Sequence, residues 1–279
     1  MKKILSLATL VLAAVFVLVA CGKSSSKSTT SSSSAETAQS KTIKVAVHTA
    51  PMTDMLEAVK DDLKKEGYDL ELVKVTDNVQ ANVALNNKEV DANFFQHKLF
   101  MEAFNKGNDG NLVFVQPIYN ALVAFYSKNY KSVDELPEGA KVAIPSDGAN
   151  RARALRMLAA KGLIGLKDKD SYNITLEDVT DNKKNLQFQE VSLLNLNEAY
   201  NEADLVFNYP TYIAKLNLAP TKDGLILEDP VDATFAVGVA AREDNKDSDA
   251  VKALKKALTG EKIKTFIEEK LKGHAVVAF

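Results

Sequence analysis

The stretch IKVAVHTAPMTDMLEAVKDDLKKEGYDLELVKV, from Ile43 to Val75, decides the fold class. Ile43 to His48 is short, apolar and rich in β-branched residues, the pattern of a buried strand. From Thr53 the spacing changes. Leu56, Val59 and Leu63 fall on one helical face, and Gly67 stands where a helix end takes a left-handed residue. Leu70, Leu72, Val73 and Val75 then return the chain to a strand over 69–75. A strand, a helix and a strand in this order form a β-α-β unit, which implies a parallel sheet.

The alternation continues outward. A polar helix over 77–87, a short strand over 91–94 and a helix over 97–105 come next, followed by apolar runs at 112–118 and 122–127 that read as strands. Val142 to Pro145 is another strand, and the loop Ser146-Asp147-Gly148-Ala149-Asn150 opens a helix that runs to Lys161 and closes at Gly162. Strands at 186–191, 204–208 and 235–241 alternate with helical segments, and amphipathic helices at 249–258 and 261–271 finish the chain. One sheet holding every strand would be unusually wide. Two α/β lobes around a shared cleft pack better, and ligands favour such clefts.

The N-terminus has a different composition. Lys2 and Lys3 precede an apolar stretch from Ile4 to Ala20, and Leu18-Val19-Ala20-Cys21-Gly22 places a small residue directly before the only cysteine. This is a lipoprotein signal peptide over 1–20 with a lipobox: the chain is cut before Cys21, which carries the lipid. A retained signal anchor is the competing reading, at the short edge of what spans a bilayer. Two or three acyl chains on Cys21 make a persistent anchor, since each buried methylene contributes ~0.8 kcal/mol. Residues 21–41 are dominated by serine and threonine, cannot bury a core, and read as a disordered tether reaching roughly 25 Å. With one cysteine there is no disulfide and no thiolate metal site in the body. The 35 basic and 37 acidic residues give a formal net charge of −2 without a basic stripe, which argues against nucleic acid as a partner.

Three strand ends are candidate sites. At Ser146 to Arg153 a strand delivers a polar loop to a helix N-terminus, where free N–H groups and the dipole favour an anion. Arg153 is placed to grip a carboxylate in bidentate fashion and Asn150 to cap the helix or meet a ligand; equally, the arginines there decorate an exposed face. In Asp91-Ala92-Asn93-Phe94-Phe95-Gln96-His97, two aromatics beside an amide and an imidazole suit the rim of a cleft, or else ordinary packing with His97 as a helix cap. Phe207-Asn208-Tyr209-Pro210-Thr211-Tyr212 is a third strand end, either a binding loop or turn chemistry. His48, His97 and His274 lack metal-ligand spacing, and no H-E-x-x-H, G-x-S-x-G or Walker motif is present. The sequence therefore argues for a binding protein without catalytic residue, metal or cofactor.

Several of these runs resemble one family. Asp91 to His97 (DANFFQH) with Phe100 to Asn105 (FMEAFN), Val142 to Leu155 (VAIPSDGANRARAL), Lys161 to Asp168, Glu177 to Leu186, Phe266 to Lys270 and Gly273 to Phe279 are together similar to the NlpA lipoproteins, the methionine-binding lipoproteins of ABC importers. The resemblance covers nearly the whole body. It implies a bilobal periplasmic-binding-protein fold of type II, with 42–124 and 232–279 as one lobe and 125–231 as the other. It also implies a pocket lined by Phe94, Phe95 and His97 from the first lobe and Asn150, Arg153 and Asn208 from the second, with Arg153 pairing with an amino acid's carboxylate. Its partners are then methionine or a related amino acid or short peptide, an importer permease, and the membrane through Cys21. The protein is expected to be a monomer facing outside the cytoplasm. A surface adhesin that kept the fold is the alternative.

The chain departs from the family in one wall. Where its members carry H-I-E-P, this sequence reads Tyr119-Asn120-Ala121-Leu122 and lacks both the histidine and the carboxylate. The family's I-N-x-x-Y reads F-N-Y-P-T-Y here.

Overall fold

The computed structural model describes residues 41–279. The expected signal peptide, Cys21 and the tether up to residue 40 lie outside the described residues. The first strand, β1 (Lys41–Val47), runs parallel to β2 (Tyr68–Lys74) on one side and to β3 (Ala92–His97) on the other. Between β1 and β2, helix α1 (Met52–Lys65) buries Met52, Met55, Leu56, Val59 and Leu63, the stripe its 3.6-residue period dictates. Helix α2 (Asn78–Asn86) starts where the Asp77 carboxylate accepts the Gln80 N–H at 2.9 Å. After helix α3 (Lys98–Asn108), β4 (Leu112–Ala121) lies two places beyond β3, in the same direction as β3 but antiparallel to the strands on either side of it.

The second sheet begins with β5 (Ala124–Tyr126) and β6 (Lys141–Pro145), followed by α4 (Gly148–Ala160). A small ribbon of β7 (Gly165–Leu166) and β8 (Val179–Asp181) precedes β9 (Gln187–Val191), β10 (Leu205–Asn208) and β11 (Ile226–Leu227). The chain then returns to the first sheet with β12 (Val237–Arg242) and β13 (Ala275–Val277). The sheet orders are β13-β4-β12-β3-β1-β2 and β11-β5-β10-β6-β9. Each is a mixed sheet whose parallel strands carry the helices, and the chain passes between them twice, between Ala121 and Ala124 and between Leu227 and Val237. This is the bilobal α/β fold expected from the sequence. Binding sites in such sheets form beyond the carboxyl ends of parallel strands, where β3, β6 and β10 end here.

Two local features shape that end. At Gly238 a β-carbon would lie 2.1 Å from the Gln116 carbonyl oxygen, so only glycine lets β12 approach β4 there. The register between β12 and β3 also shifts at this point, pairing Gly238 with Gln96 but Val239 with Phe94, so Phe95 sits in a bulge. β3 runs through His97, three residues past the expected strand end, because His97 serves as the cap of α3 rather than as its first helical residue. The expected helix over 261–271 is α-helical only at Glu261–Thr265 and continues as a π-helical turn at Phe266–Lys270. β7, β8, β11 and β13 span two or three residues each, too few to carry a periodic signal. Among the described residues no helix is long and apolar enough to cross a membrane.

Candidate functional site

His97 is the pivot of the site. Its Nδ1 accepts the Phe100 N–H at 3.2 Å, capping α3, which leaves the proton on Nε2. Nε2 then donates to Asn150 Oδ1 at 3.2 Å, joining the first sheet to the helix that follows β6. Burial first, and the charge of Arg153 second, push the imidazole down to about 3, so it is neutral at physiological pH. Phe235 and Phe100 pack edge-on against its ring, with centroids at 5.0 and 6.2 Å.

Asn150 occupies the first turn of α4 beside its cap, Asp147. Its Nδ2 donates to both Asp147 oxygens at 3.0 and 3.1 Å, which fixes the amide with Oδ1 facing His97. The same Oδ1 accepts the Tyr209 hydroxyl at 2.6 Å, and Tyr209 Oη in turn accepts from Arg153 Nη1 at 3.0 Å. Burial raises Tyr209 to about 12, so it remains a neutral donor.

Arg153 is buried one helical turn further on, and its charge is met inside the protein. Glu228, just past β11, takes the guanidinium edge in bidentate fashion, Nε to Oε1 at 2.7 Å and Nη2 to Oε2 at 2.5 Å. Nη2 also reaches the Ala121 carbonyl at 3.3 Å, and the plane lies over Phe235 at 4.5 Å. Burial works against the charge, but Tyr209 and Glu228 outweigh it and keep the guanidinium protonated. Arg153 is 1% exposed and Glu228 8%.

A cavity of 40 Å³ lies against this chain of bonds, between the two sheets. From the first sheet and its helices come Met52, Asn78, Phe95, Gln96, His97, Phe100, Tyr119 and Val237, and from the second Asn150, Leu193, Tyr209, Thr211 and Tyr212. No lining side chain carries a charge. Asn78 Nδ2 donates to Tyr212 Oη at 3.3 Å, a further bond between the two walls. A larger hollow of 710 Å³ lies on the far side of Arg153, bounded by α4, Tyr172 and the segment 227–235. Four of its charges form two pairs, Arg153 with Glu228 and Arg156 with Asp232, and it lacks lining residues from β3. The small cavity is the better candidate because residues from both sheets converge on it.

Of the residues singled out in the sequence, Phe95, His97 and Asn150 line this cavity. Phe94 does not. Side chains alternate along a strand, and its fully buried ring packs edge-on behind Tyr119 at 6.3 Å. Asn208 is also off the wall: fully buried, it donates to Asn197 Oδ1 at 2.8 Å and accepts the Tyr209 N–H at 2.9 Å, holding the loop that carries Tyr209. Arg153 stands one layer back with its bidentate edge on Glu228, and thus does not present that edge to the cavity. Sequence reasoning missed Glu228. The signal was a pair of carboxylates, Glu228 and Asp229, directly after the aliphatic run Leu225-Ile226-Leu227. Among the described residues no group of three or more His, Cys, Asp or Glu side chains could hold a metal.

Two α/β lobes around a cleft lined by neutral aromatics and amides define a substrate-binding protein of the periplasmic-binding-protein class. The chain belongs to the NlpA lipoprotein family, whose model matches residues 43–279. It is 37% identical over 277 residues to the methionine-binding lipoprotein MetQ of Bacillus subtilis, covering 98% of this chain and 97% of that one. Among solved structures, a YaeC-family lipoprotein from Enterococcus faecalis is 44% identical, with a TM-score of 0.76 over 86% of this chain and 100% of that one. A nutrient binding protein from Burkholderia cenocepacia bound to methionine is 33% identical, with a TM-score of 0.81 over 85% and 100% of the two chains.

Proposed function

We propose that this protein captures an amino acid of methionine's size and polarity between its lobes and delivers it to an ABC importer. It is a binding protein, not an enzyme. The observation that carries the reading is the convergence of Phe95, His97 and Tyr119 with Asn150, Tyr209 and Tyr212 on one cavity. Aromatic rings and the Met52 thioether suit an unbranched apolar side chain, and the hydroxyls of Tyr119, Thr211 and Tyr212 suit its polar end. A space of 40 Å³ holds about a water molecule or two rather than an amino acid, so capture requires the lobes to separate and close again. The two crossings between the sheets, near 124 and near 231, are the natural hinges.

In this reading Phe95, His97 and Asn150 form the wall the ligand meets, Arg153 acts through Tyr209, and Phe94 and Asn208 hold the wall from behind. The mature protein is a monomer tethered by a lipid on Cys21, outside the cytoplasm and within reach of its permease. The relatives named for methionine binding and for ABC transport make an importer component a better reading than an adhesin. Thermal unfolding with each amino acid in turn tests the proposal. A ligand at 100 times its Kd adds ~2.7 kcal/mol, a clear rise in Tm, and no rise with methionine or any other amino acid or dipeptide sinks it.

A further inference from the structure

We infer that Glu228 sets the charge specificity of the cleft: by holding the Nε–Nη2 edge of Arg153 it makes the site accept ligands of zero net charge and reject anions. The inference rests on the amino-acid reading above. A guanidinium has five N–H donors. In Arg153 four are spent, two on Glu228, one on the Ala121 carbonyl and one on Tyr209 Oη. One donor remains, which cannot grip a carboxylate in bidentate fashion. A ligand carboxylate that took this edge would have to evict Glu228 and leave it buried without a partner.

The polar groups nearer the cavity are spent as well. Asn150 uses its carbonyl on His97 and Tyr209 and its amide hydrogens on Asp147. The other polar groups on the wall are neutral too: Asn78 and Tyr212, bonded to each other, Tyr119, whose hydroxyl donates to Met52 Sδ, and Thr211. Behind that neutral wall Arg153 and Glu228 cancel, and the Asp147 carboxylate behind Asn150 adds no positive charge. An anion entering the cleft gains no uncompensated positive charge for the water it loses, whereas a zwitterion brings its own counter-charge. Remove the charge of Glu228 and a single buried cation faces the site through Tyr209.

Glu228 touches no ligand in this arrangement; it is a positioning residue acting through Arg153. The test uses L-methionine and 2-hydroxy-4-(methylthio)butanoate, an anion of nearly the same shape with a hydroxyl in place of the ammonium, titrated calorimetrically into the wild type and Glu228→Gln. In the wild type methionine is expected to bind tighter by about tenfold or more, and in Glu228→Gln that ratio is expected to shrink by about fivefold or more. Glu228→Asp, which keeps the charge, should retain most of the wild-type ratio. A smaller ratio in the wild type overturns the inference even if the glutamine variant does not fold. An unchanged ratio in a folded Glu228→Gln overturns it too, since a purely structural role would weaken both ligands alike. If the wild type binds neither probe, nor any other amino acid, the amino-acid reading has failed and the inference falls with it.

Discussion

His97 in β3 and Asn150 in α4 meet at 3.2 Å, the point where a strand end of one lobe touches a helix start of the other. Because Nδ1 accepts the Phe100 N–H, the cap on α3 requires a neutral imidazole. Burial holds its folded value at about 3, against about 6.5 in an unfolded chain. The unfolded state therefore binds the proton more readily, and the stability this group contributes is full above pH 6.5 and is lost as pH falls toward 3. At pH 5 the loss is about 2 kcal/mol relative to pH 7. Urea unfolding at the two pH values should show this drop in the wild type and a shallower one in His97→Asn, which keeps a capping acceptor. Equal slopes would mean that the histidine is not buried as described.

The Arg153–Glu228 pair makes an opposite kind of prediction. Arg153→Met leaves Glu228 buried alone and is expected to cost about 3–5 kcal/mol. Adding Glu228→Leu should recover most of that loss, because an apolar pair of similar volume needs no counter-charge. Chemical denaturation of the two variants measures this. A double variant no more stable than the single one would show that the pair contributes net stability of its own.

Legibility in the sequence followed locality. The β-α-β unit from Ile43 to Val75 was readable because its strand and helix periods are set by neighbouring residues, and β1, α1 and β2 appear where the pattern puts them. Phe95, His97 and Asn150 were readable as candidates because Phe95 and His97 close an apolar strand and Asn150 stands where a polar loop opens the next helix. Phe94 and Phe95 were not separable, since which one faces the cleft depends on a bulge that β3 acquires only against Gly238 of β12. Arg153 was visible, but not its partner. Glu228 lies 75 residues away among 37 acidic residues, and only the return of the chain from β11 brings its carboxylate to 2.5 Å. The carboxylate absent at Ala121 left no trace of this, although Ala121 itself offers its carbonyl to the same guanidinium.

Closure of the cleft is expected to depend on Asn78 and Tyr212, whose side chains join its two walls at 3.3 Å. Asn78→Ala and Tyr212→Phe each remove this bond, so each should weaken ligand binding by about 1 kcal/mol, and the double variant by little more than either alone. Calorimetric Kd values for the cycle test it. Fully additive losses would show that the two residues act independently, not as one latch.

Phe94 and Phe95 are adjacent, yet their truncation should have separable effects. Phe94 is fully buried behind Tyr119, so Phe94→Ala is expected to cost about 3–5 kcal/mol of stability from lost transfer energy and the cavity left behind. The folded fraction should still bind ligand, because no atom of Phe94 lines the cavity. Phe95 faces the cleft, with its ring edge-on to Phe100 at 5.9 Å. Phe95→Ala enlarges a space already open to the ligand, so its stability cost should be the smaller of the two, while a lost aromatic contact weakens binding by about 1–3 kcal/mol. Unfolding curves and Kd values for the two variants place them in opposite corners of a stability-against-affinity plot. Two variants with the same ratio of effects would mean that the bulge at Phe95 does not separate a core face from a ligand face in β3.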